Sequence, residues 1–214
     1  QGVDSIFALP LFIAPSGHTE EDLPNILGWK YNPYVREELA EEKTEMVKSK
    51  LPIVLGPTFY YSYVLEKVMA QRVKSFSKDA ANEAVIFLAH GDEERIGFWK
   101  SLLGNVSKYV KENCGVTYVD GELIEMGHNF GNELMPLLEK AAQTKKRIFV
   151  QGIYLTSDVK RMADRHKMQE RQADLVKARG VEIVYSNEGI LPASSDLVTN
   201  WVVEQTAQWL HSAR

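Results

Sequence analysis

Hydrophobic and polar positions along this chain switch between two rhythms. Short runs rich in β-branched and aromatic residues read as strands: "AVIFLAH" (84–90), "GVTYVD" (115–120), "RIFVQGIYL" (147–155) and "VEIVYS" (181–186). Between and after them lie stretches with helical spacing, at 98–113, 131–143, 159–179 and 194–210. Gly180 is placed to end the third of these helices, and Ser194 or Ser195 to cap the last. Four βα units in succession predict an α/β fold, a mostly parallel sheet with helices on both faces.

The first 80 or so residues look different until they are laid against the end of the chain. "FALPLFIA" (7–14) and "LPIVLGP" (51–57) read as strands, and "YSYVLEKVMAQRVKSF" (61–76) as a helix. A shift of 142 positions carries Leu11-Phe12-Ile13 onto Ile153-Tyr154-Leu155, and Asp22 onto Asp164. Ile53-Val54 falls close to Ile183-Val184, with a terminal helix after each. The order and spacing predict two similar lobes. Residues 80–214 would form a complete C-terminal lobe, and residues 1–79 the second half of an N-terminal lobe lacking its opening two βα units. The segment 75–84 would link them.

Composition narrows the class. The 214 residues are 44% hydrophobic and 25% charged, ordinary for a globular chain, with no apolar run near the ~20 residues that span a bilayer. The net charge of −4 argues against a nucleic-acid binder. Cys114 is the sole cysteine, which excludes an internal disulfide and any multi-cysteine metal centre. The first residue is Gln, and no signal-peptide pattern is visible. A cytoplasmic location is expected, with an exported form as the alternative.

In open α/β sheets, ligands bind beyond the carboxyl ends of the strands. Two histidines occupy that place. His90 ends "VIFLAHGDEE", and His18 follows strand 7–14 through Pro15-Ser16-Gly17, with Thr19 and Asp22 resembling a capping pair. A further strand end carries Asp120, Glu122 and Glu125 in "YVDGELIE". A carboxylate near a neutral imidazole can orient it, raise its basicity or share a divalent metal. His128, in "EMGHNFG", is a weaker candidate, and His166 and His211 read as solvated surface. There is no Gly-x-Gly-x-x-Gly, no Gly-x-x-x-x-Gly-Lys, no Gly-x-Ser-x-Gly and no His-Glu-x-x-His, so no nucleotide-binding, serine-elbow or zincin signature is present.

"PLFIAPSGHTEEDLP" (10–24) resembles the histidine motif of the sirohydrochlorin cobaltochelatases, and "VIFLAHGDEE" resembles the His-Gly motif that opens a lobe in the same class II tetrapyrrole chelatases. "YVDG" (118–121) is similar to the segment carrying the metal-site acid. The resemblance implies a two-lobed chelatase-like fold and ATP-independent insertion of Co²⁺, or Fe²⁺ or Ni²⁺, into an anionic tetrapyrrole for cobalamin or sirohaem. His18 and His90 would be metal ligands or proton acceptors, assisted by one of Asp120, Glu122 and Glu125. Phe12, Ser16, Tyr154 and Lys160 would hold the macrocycle, with Lys160 and Arg161 or helix starts meeting its carboxylates. The divalent metal is then a substrate, no nucleotide is required, and a homodimer is a candidate assembly.

Two departures bear on activity: Lys160 stands where the second lobe would match His18, and the acid at 120 is Asp. A non-catalytic tetrapyrrole- or metal-binding protein of the same fold is therefore the alternative. A general small-ligand binder, indifferent to both histidines, is the third.

Overall fold

The computed structural model describes residues 2–124, 129–191 and 196–212. Glu125, His128, Ser194 and Ser195 lie outside the described residues. In the first part of the chain, β1 (Ile6–Ala8) pairs in parallel with β2 (Ile53–Leu55). Between them come a π-helical turn His18–Asp22, α1 (Leu23–Ile26) and α2 (Pro33–Glu41). A 3-10 turn Phe59–Tyr61 then leads into α3 (Val64–Phe76). Sequence reading expects one strand over 7–14. The ladder stops at Ala8, and Pro10 and Pro15, lacking an N–H, leave 10–16 as an irregular but largely buried run.

The remainder alternates strictly: β3 (Glu83–Ala89), α4 (Ile96–Cys114), β4 (Tyr118–Leu123), α5 (Phe130–Ala141) and β5 (Arg147–Ile153) come first. Then follow α6 (Val159–Arg165), α7 (Met168–Arg171), α8 (Ala173–Arg179), β6 (Glu182–Tyr185) and α9 (Leu197–Ser212). The four strands form one parallel sheet in the order β4-β3-β5-β6. The expected α/β architecture, parallel sheets flanked by helices, is what the structure shows. The long helix expected over 159–179 is broken into α6, α7 and α8 by His166-Lys167, where Lys167 takes the left-handed φ of 51°. That turn lets Met168 reach the core, where it is fully buried. Gly180, at φ 59°, ends α8 as its position predicts.

All seven residues of β3 are buried, because helices cover both faces of the central strands. Val85, Phe87 and Ala89 pack with α3, α4 and α9, while Ala84, Ile86 and Leu88 pack with α5, α6 and α7. Packing also crosses between the two halves of the chain. Helix α3 lies against α4 and β5, and α9 returns along α3. Trp201 sits 4.5 Å from Phe59, and Trp209 stacks on Phe7 at 5.2 Å. At the foot of β3, the buried Glu83 carboxylate accepts from Ser77 Oγ at 2.5 Å, Lys78 N at 2.8 Å, Asp79 N at 3.1 Å and Arg147 at 2.9 Å. This ties the segment after α3 to the sheet.

Candidate active site

Strand β3 delivers His90 to the carboxyl edge of the sheet. Gly91 follows at φ 87°, and a Cβ there would lie 3.2 Å from Leu123 Cβ, so both backbone and space call for glycine. The half-buried His90 ring has Nδ1 2.6 Å from the Gly91 carbonyl. A carbonyl oxygen only accepts, so Nδ1 is the donor in this contact. Trp99, from α4, lies against this ring with centroids 6.2 Å apart.

His18 arrives from the other sheet. Its loop is closed on itself: Thr19 Oγ1 accepts from Ser16 N at 2.9 Å and donates to Ser16 O at 3.0 Å. The π-helical turn that follows places Asp22 Oδ2 2.6 Å from His18 Nδ1. The carboxylate accepts, so His18 Nδ1 donates to it, in an exposed ring resting 6.1 Å from Phe12.

Both imidazoles line one cleft of about 330 Å³, with Phe12, Ser16, Asp92 and Tyr154 among its walls. An adjoining cavity of about 540 Å³ shares His90, Tyr154, Thr156 and Ser157 and adds Arg161 and Arg165. Tyr154 is buried, and burial pushes its hydroxyl well above the ordinary tyrosine range, so it stays protonated. Gly152 makes room for that ring, since a Cβ there would collide with Tyr154 Cδ2.

Other sequence-predicted residues lie elsewhere. Lys160 reaches Asp164 at 3.1 Å and lines neither cavity. Asp120 accepts from Lys140 Nζ at 2.7 Å, and Glu122 from Leu123 N at 3.0 Å. Both line a third cavity against α4, with Lys100 and Leu103, that contains neither histidine. His166 stacks on Phe130, and His211 Nδ1 meets the Ala207 carbonyl. Sequence reading missed Asp92, Trp99 and Arg165. Arg165 had a signal, since it follows Arg161 by one helical turn; Trp99 had none. Among the described residues, no group of three or more His, Cys, Asp or Glu side chains could hold a metal, and no helix is long and apolar enough to cross a membrane.

With this geometry in view, the solved structures decide the fold. SirB from Bacillus subtilis with Fe³⁺ superposes with a TM-score of 0.61 over 97% of this chain and 72% of its own, at 17% identity. The fold is that of the sirohydrochlorin chelatases. The sirohydrochlorin chelatase SirB from Bacillus subtilis subspecies spizizenii, in complex with cobalt, shares this chelatase fold at a TM-score of 0.56, 14% identity, 95% of this chain and 68% of its own. CbiX, the terminal enzyme of sirohaem biosynthesis in denitrifying bacteria, gives 0.52, 16%, 95% and 76% in turn. No protein-family model and no curated protein sequence matches the chain.

Proposed function

We propose that this protein is a class II tetrapyrrole chelatase that inserts a divalent metal into sirohydrochlorin or a related macrocycle, with Co²⁺ first and Fe²⁺ or Ni²⁺ next. The carrying observation is that His18 and His90, from separate sheets, line one cleft on a chelatase fold. Metallation exchanges one divalent ion for two pyrrole N–H protons. Two imidazoles suit both halves of that exchange, since an imidazole nitrogen can bind a borderline ion or take up a proton. A pair of ligands, rather than a closed cage, fits a metal that is substrate and must leave. Phe12 and Tyr154 supply apolar walls for the macrocycle face. Arg161 and Arg165, in the adjoining cavity, are the cations placed to meet its acidic periphery. We assign residues 1–79 and 80–214 to two lobes, supported by their separate sheets.

One observation favours a second reading, a binding protein of this fold that does not turn over: Asp120 and Glu122 line a cavity apart from the histidines. The deciding experiment is anaerobic Co²⁺ insertion into sirohydrochlorin followed by absorbance, for the parent chain, His18→Ala and His90→Ala. Multiple turnovers, reduced about 10–100-fold by either change, uphold the chelatase. Spectral shift on mixing without turnover upholds the binding protein. Neither spectral change nor turnover sinks both.

A further inference from the structure

The His18 loop and the His90 loop belong to different sheets, and no strand ladder among the described residues joins those sheets. Hydrogen bonds join the loops directly. Gly17 N donates to Asp92 Oδ2 at 3.1 Å, and Arg95 Nε donates to Glu20 Oε2 at 3.4 Å. The register is regular: residues 17 and 20 bracket His18, residues 92 and 95 follow His90, and each bond spans 75 positions. Asp92 is held from its own side as well, because its Oδ1 accepts from Arg95 N at 2.8 Å at the start of α4. One carboxylate therefore holds the amide of Arg95, the residue leading into α4, with one oxygen and the residue before His18 with the other. Arg95, steadied by Glu94 at 2.8 Å, closes the second point.

We propose that Asp92, supported by the Glu20–Arg95 pair, is a positioning residue that sets His18 against His90, so that metal affinity depends on a latch between the loops. The inference rests on the metal-handling reading above. A site with two side-chain ligands is sensitive to such a latch, since a fraction of an ångström in the spacing of the imidazoles decides whether one ion can meet both. The turn beyond Gly17 is held internally by Thr19, Ser16 and Asp22, but those bonds lie within its own segment and do not set its distance from His90. His18 and Glu20 are exposed, and Gly17 has an ordinary helical φ of −50° with open space around it.

The test is a double-mutant cycle read by Co²⁺ titration of the full chain, Asp92→Ala, His18→Ala and the double variant. Removing Asp92 also removes its bond to the Arg95 amide just before α4, so a change in stability is not diagnostic; the cycle is. The expected result is a Co²⁺ Kd raised about five- to tenfold by Asp92→Ala in the parent, and less than about twofold in the His18→Ala background. The same factor in both backgrounds, or no change in the parent, overturns the latch. If the parent binds no Co²⁺, the chelatase reading fails by itself. The latch is then judged by hydrogen exchange at the Gly17 amide: faster exchange in Asp92→Ala, with the β3 amides unchanged, upholds it, and unchanged exchange at Gly17 overturns it.

Discussion

Replacing Glu83 by Gln should cost about 2–3 kcal/mol of stability at pH 7, and the cost should fade in acid. Burial of this carboxylate acts to raise its pKa, but donation from Ser77, the Lys78 and Asp79 amides and Arg147 outweighs it, and the net effect is a fall from 4.5 to about 2. That difference of roughly 2.5 units, at about 1.36 kcal/mol each, corresponds to about 3 kcal/mol of preference for the charged form in the folded state. Gln keeps an acceptor for the two amides, which places the expected loss at or below this figure. The sign follows from the direction of the shift. A carboxyl depressed in the native state contributes fully above about pH 4.5, and its contribution is lost as the pH falls toward 2. At pH 3, about 2 kcal/mol of the difference between parent and variant should already be gone. Arg147 is only partly orphaned by the change, since it also meets the Phe76 carbonyl and Glu182, each at 2.9 Å. Urea unfolding of both proteins between pH 7 and pH 3, followed by tryptophan fluorescence, measures the gap. A gap that stays constant across this range would refute the electrostatic account, as would a gap below about 0.5 kcal/mol at pH 7.

Gly91→Ala forces a side chain into a left-handed φ against Leu123 and should cost about 1–2 kcal/mol with weaker Co²⁺ binding, whereas Gly17→Ala, with an ordinary φ and open space, should be within about 0.5 kcal/mol of the parent. Thermal denaturation and metal titration of the pair check this. Arg161→Gln with Arg165→Gln should raise KM for a macrocycle bearing eight carboxylates about tenfold, with kcat nearly unchanged, and should leave Co²⁺ affinity alone. Steady-state kinetics against a two-carboxylate porphyrin, where little change is expected, supplies the control.

The strands were legible wherever one short apolar run lay between turn signals, as in "AVIFLAH", because a central parallel strand buries both faces and needs no alternation. The break of the helix over 159–179 was not, since Lys167 takes a positive φ without a glycine to announce it. What favours the break is tertiary: Met168 gains full burial by leaving the helical line. The return of α9 onto the N-terminal half was equally hidden, because the partners of Trp201 and Trp209, Phe59 and Phe7, lie over a hundred positions away.

At the site, proximity in sequence to a strand's carboxyl end is a good guide only when the order of strands is also known. His90 and the Tyr154–Ser157 segment follow β3 and β5, which are neighbours in the sheet, so their tips converge. Asp120 and Glu122 belong to β4, which lies on the other side of β3 and faces Lys140 and α4. Spacing along the chain is the same kind of signal in both cases and cannot say which neighbour a strand takes. His18 shows the complementary case. Among the described residues no strand pairing brings it to His90, and the side chains of Asp92 and Arg95 join the two loops. A motif search sees the histidines because their chemistry is rare. The residues that join their loops are an aspartate in the turn before α4 and an arginine in an ion pair, types too common on any surface to stand out before the fold brings them together.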